Sequence, residues 1–78
     1  MYALRLKSVT KPGAWAYISL WTGTRLYRSA YSKLELATLE EATSLIQEIK
    51  DAWESGRITS SRLTSERINS IEIYKLPY

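Results

Sequence analysis

The sequence predicts an α+β fold: an antiparallel three- or four-stranded sheet, in the chain order β-β-β-α-β, with one amphipathic helix packed on one face. Two features predict it. Short stretches of alternating polar and apolar residues are separated by tight-turn signals, and one long stretch repeats its apolar residues at helical spacing. The 78 residues suffice for a single domain, 1–78.

Residues 2–9 set Tyr2, Leu4 and Leu6 against Ala3, Arg5 and Lys7, the alternation of a half-buried strand. TKPG follows as a turn. AWAYISLW, residues 14–21, is the second strand. TGT at 22–24 is a second turn, in which Gly23 can take positive φ. Residues 25–31 read as a third strand, with Leu26 on one face and Arg25 and Tyr27 on the other. Turns this short favour an antiparallel meander.

KLELA, with Leu34 and Leu36, either extends the third strand or leads in extended form to the helix. The helix is predicted over 39–54. Leu39, Ala42, Leu45, Ile46, Ile49, Ala52 and Trp53 recur at three- and four-residue spacing. Thr38 and Glu41 form a capping box, and Gly56 stands where a left-handed C-terminal stop belongs. Glu40 and Glu41 suit the positive end of the helix dipole. Residues 57–70 are polar and weakly patterned; a short helical turn capped by Thr64 is expected near 64–68. Residues 70–76 alternate again as a closing strand that Pro77 ends. One apolar helix stripe and one sheet face to cover make a two-layer sandwich. Leu4, Leu6, Ala16, Ile18, Leu20, Leu26, Ile71 and Ile73 are expected to face the helix.

The other face then carries Arg5, Lys7, Trp15, Tyr17, Ser19, Trp21, Arg25, Tyr27, Glu72 and Tyr74. So many aromatic rings among basic groups admit three readings. They are cross-strand pairs that favour strand formation. Or they form a protein interface, either with an unidentified partner or between two copies of the chain, anchored by Trp15, Tyr17, Trp21, Arg25 and Tyr27. Or they bind nucleic acid, rings stacking on bases while Arg5, Lys7 and Arg28 track phosphates. The protein interface is the leading expectation, the nucleic-acid surface its alternative.

Net charge is +3, unevenly spread. Residues 1–34 hold six basic residues and no acid; residues 35–56 hold six acids and one lysine; residues 57–78 hold four basic residues and two acids. Such asymmetry points to a nucleic-acid or acidic partner, or to blocks that neutralise each other within the fold or across a dimer.

Cysteine and histidine are absent, so the commonest general base, the best thiol nucleophile and the usual zinc ligands are missing. Gly13, Gly23 and Gly56 are isolated and build no phosphate-cradling loop. The helix acids mostly avoid its apolar stripe. Enzymatic activity, a metal, a cofactor and a small-molecule substrate are therefore not expected. No apolar run reaches membrane-spanning length, and the N-terminus lacks a signal peptide's apolar block, so cytoplasm is the expected compartment.

TLEEA, with Thr38, Glu40, Glu41 and Ala42, resembles the helix entry of small phage- or mobile-element-encoded proteins with a β-β-α-β core, over residues 1–54. That resemblance implies an accessory or inhibitor module that acts by binding, in the cytoplasm of a host cell. GAWAYI at 13–18, followed by TLEEA, is similar to the sheet-plus-helix DNA-binding domain of ethylene-response factors and integrase arm-binding domains. In those the exposed sheet face enters the major groove. This chain departs from them in a longer segment before the helix, a strand not dense in arginine and an added fourth strand.

Overall fold

A computed structural model describes residues 1–8, 11–59 and 62–78. Val9, the expected end of the first strand, lies outside the described residues, as do Thr10 of the first turn and Ser60 and Ser61 of the polar stretch. The elements are β1 (Tyr2–Lys7), β2 (Trp15–Trp21), β3 (Leu26–Ser29), α1 (Leu39–Glu54), α2 (Ser65–Asn69) and β4 (Glu72–Lys75). The four strands form one antiparallel sheet in the order β3-β2-β1-β4.

Local chemistry accounts for the junctions. Lys11–Ala14 closes as a turn, the Ala14 N–H donating to the Lys11 carbonyl at 3.0 Å. Pro12 fits its second position and Gly13, at φ 81°, its third, as a type II turn requires. At the start of α1 the Thr38 hydroxyl accepts from the Glu41 N–H at 3.1 Å. The Glu41 carboxylate accepts from the Ala37 N–H at 3.0 Å, so the box closes one residue earlier than the usual form. At the other end the Arg57 N–H bonds the Ala52 carbonyl and the Gly56 N–H bonds that of Trp53, with Gly56 at φ 76°. This is a Schellman stop. In α2 the Thr64 hydroxyl accepts from the Arg67 N–H, confirming the expected short turn.

Leu4, Leu6, Ile18, Leu26, Ala42, Ile49, Leu63, Ile68 and Ile71 form the core between sheet and helices. Each large, fully buried side chain (Leu4, Leu6, Ile18, Ile49 and Ile68) contributes about 2 kcal/mol of transfer free energy. Leu63 and Ile68 bring the weakly patterned stretch into this core. Leu39 does not join the helix stripe as expected; it opens the first turn of α1 and is exposed.

One irregularity changes the expected faces. Ile18 pairs with Arg28, but Leu20 pairs with Tyr27, so Ser19 is an extra residue in β2. This is a β-bulge, and it reverses the side of every residue that follows. Leu20, expected in the core, is 48% exposed on the open face. Trp21, expected on the open face, pairs with Leu26 and packs against the core instead.

The bulge also ends the β1–β2 pairing. Their register runs from Lys7↔Trp15 to Arg5↔Tyr17. Beyond it, residues 34–36 bond to both strands. The Leu34 N–H donates to the Ile18 carbonyl at 2.9 Å, and Leu36 and Tyr2 exchange two bonds of 2.8 Å. The extended alternative for KLELA is the one observed.

Two expected outcomes follow from these contacts. Thr38→Ala lowers unfolding free energy by about 1 kcal/mol in urea titration, the usual worth of an N-cap. Ile18→Asp places an unpaired carboxylate in the core and abolishes the cooperative transition altogether.

Candidate functional site

Strand parity places Arg5 and Lys7 of β1, Trp15 and Tyr17 of β2, and Glu72 and Tyr74 of β4 on the sheet face away from α1. Arg5 sits at the centre, opposite Tyr17 on one side and Glu72 on the other. Its Nε–H donates to Glu72 Oε1 at 2.7 Å, and its Nη2 also meets that oxygen. Its guanidinium carbon lies 4.4 Å from the Trp15 ring centroid and 5.0 Å from that of Tyr74. Tyr17 and Tyr74 meet at 5.9 Å, tilted by 58°. Lys33 Nζ lies 4.4 Å from the Tyr17 centroid, reaching over the sheet from the segment after β3. Each such cation–ring contact contributes about 0.5–1 kcal/mol at an exposed site. Two cations of this face thus already have partners within the chain, and the centre of the face is a braced surface.

The remaining expected anchors are separated from that centre. Arg25, in the turn before β3, has its guanidinium carbon 5.5 Å from the Tyr27 ring. Tyr27 stands beside Leu20, its register partner, and is 40% exposed. Tyr31, in the turn after β3, is 88% exposed. Trp21 lies on the helix side, where its Nε1–H donates to the Glu48 carboxylate of α1. There it floors a groove with Leu34, Leu36 and Leu45, rimmed by Glu40, Glu41 and Glu48.

No family model, no curated protein and no solved structure matches the chain. No helix of the described residues is long and apolar enough to cross a membrane.

Of the cations expected to track phosphates, Arg5 and Lys7 share the open face, but Arg28 does not. As the register partner of Ile18 it points to the helix side. There it joins Lys11, Arg62 and Arg67 around a cavity of about 410 Å³ at the end of the sheet, beside Trp15 and Ala16. Arg67 is 7% exposed. Its Nε–H donates to the Lys7 carbonyl at 2.9 Å, and its Nη1–H to that of Arg62 at 2.8 Å. Arg28 Nη1–H donates to the Leu26 carbonyl at 2.9 Å. Burial, and then the positive charges of Arg67 and Arg62, push the Arg28 pKa below its ordinary value. Burial alone pushes that of Arg67 in the same direction. Lys11, Arg62 and Arg67 were not among the expected site residues. Their trace in the sequence is compositional: Lys11 belongs to the uniformly basic residues 1–34, and Arg62 and Arg67 to the basic excess of residues 57–78.

The bracing can be measured. Glu72→Gln removes one partly exposed ion pair and is expected to cost less than about 1 kcal/mol. Arg5→Ala also removes two ring contacts and buried methylenes, and is expected to cost more, about 1–2 kcal/mol. Equal losses in denaturant titration would mean that the rings add nothing.

Proposed function

We propose that this chain is a non-enzymatic binding module that acts by protein–protein contact, through the corner of the open sheet face formed by Leu20, Tyr27 and Arg25. The observation that carries this reading is the division of the face. Its centre is occupied by Arg5, Glu72, Lys33 and the rings they hold. At the corner the bulge turns a leucine outward beside a tyrosine, both large and exposed.

The chemistry of the corner suits a protein partner. Tyrosine and arginine are enriched among residues that dominate interface energetics. The tyrosine brings a large ring with few rotatable bonds, and Arg25, already placed near that ring, keeps donors for an acceptor on the partner. A second copy is the simplest occupant. Across a two-fold axis Leu20 of one copy meets Tyr27 of the other and the reverse, so one corner supplies both halves of the contact. The braced centre of the face forms a rigid flank to that contact.

Leu20→Asp with Tyr27→Ala tests the reading. Both side chains lie outside the core cluster, so the double variant is expected to keep the wild-type circular dichroism spectrum. Sedimentation velocity over a concentration series is expected to show association in the wild type and only monomer in the variant. Association that survives the double substitution would place the interface elsewhere on the surface.

A further inference from the structure

The cavity at the end of the sheet is independent of the Leu20–Tyr27 corner. It sits where β1 ends, β2 begins and β3 ends, and its walls come from segments distant in sequence: Lys11, Arg28, Arg62 and Arg67. No carboxylate lines it among the described residues. Glu66, the neighbour of Arg67, lines an adjoining depression instead. The one ion pair of the described residues, Arg5 with Glu72, is on the open face. The wall thus brings together Lys11, Arg28, Arg62 and Arg67 with no Asp or Glu among its described residues. Like charges brought together in a partly buried site repel, and an anion placed among them removes that cost.

We propose that this cavity is an oxyanion site that takes a phosphate group. The guanidinium fork matches phosphate oxygens in spacing and direction, and several forks can share one tetrahedral group. Two of the three arginines are held in place by the fold. Arg67 is anchored on the carbonyls of Lys7 and Arg62, and Arg28 on that of Leu26. The two bonds of Arg67 engage two of its five donor hydrogens, so the remainder stay available. Ordering these side chains before a ligand arrives lowers the entropy lost on binding. The cavity volume of about 410 Å³ leaves room for a group attached to the phosphate. Two sources share this chemistry: free phosphate, and the phosphodiester backbone of single-stranded nucleic acid.

The test follows the arginine Nε–H signals of the full chain by NMR. Sodium phosphate is added against sodium chloride at matched ionic strength. Saturable shifts at Arg28, Arg62 and Arg67 with phosphate alone are expected, with Arg25 unmoved. Arg28→Gln with Arg62→Gln spares the anchoring role of the Arg67 side chain and is expected to weaken binding about tenfold or more. An unchanged melting temperature in that variant separates loss of the site from loss of the fold. Arg67→Lys keeps the charge but not the fork, and is expected to weaken binding as well.

A second arm replaces phosphate with a short oligothymidylate. Binding about tenfold tighter than phosphate, falling linearly with the logarithm of salt concentration, assigns the site to a nucleic-acid backbone. Equal or weaker binding assigns it to small phosphates. Absence of saturation with both probes would overturn the proposal. So would saturation that the double substitution leaves unchanged.

Discussion

Past Ile18, β2 carries one residue more than the strand beside it, and the layout of both sheet faces depends on that excess. A strand has a side-chain period of two, so one inserted residue moves everything after it to the opposite side. The indole of Trp21 comes to lie against the core and the α1 carboxylate of Glu48. Leu20 is turned outward in its place. The same irregularity leaves room between β1 and β2 for residues 34–36, which bond to both strands before the chain enters α1. Helix position, groove and exposed corner are therefore linked to one backbone feature.

The parts of the fold that were readable from the sequence are those specified locally. The bounds of α1 follow from Thr38, the apolar spacing and Gly56, all within one run of chain. The turn at Lys11–Ala14 follows from a Pro-Gly pair. Even α2, with little apolar pattern, was marked by its threonine cap. The bulge was hidden because WAYISLW alternates without a break, and nothing in its composition says that Ser19 is to be left unpaired. Its contacts are with residues outside β2: Trp21 pairs with Leu26, and the Ile18 carbonyl accepts from Leu34. The expected aromatic face was therefore right for Trp15, Tyr17 and Tyr74, which precede the bulge or lie on another strand. It was wrong for Trp21, which follows it.

The basic cluster was illegible for a different reason. Arg28 lies far along the chain from Arg62 and Arg67, and each alone reads as an ordinary surface cation. Only the sheet register turns Arg28 to the helix side, and only the fold of residues 62–67 brings the other two to meet it. Arg5 shows the converse. In sequence it is an unpaired cation on an exposed face, and in the fold it is held by Glu72 and two rings. Charge in the sequence thus says little about which cations remain available to a ligand.

Strand β2 runs from Trp15, beside the arginine-lined cavity, to Trp21, beside the glutamates of α1. Six residue steps of strand separate the two ends by about 20 Å, more than twice the screening length in physiological salt. Cations cluster beside one end of the strand and carboxylates beside the other, too far apart to neutralise each other in physiological salt. A charged body is therefore drawn to one end or the other only once it is within a screening length of it, and lower salt lengthens that reach.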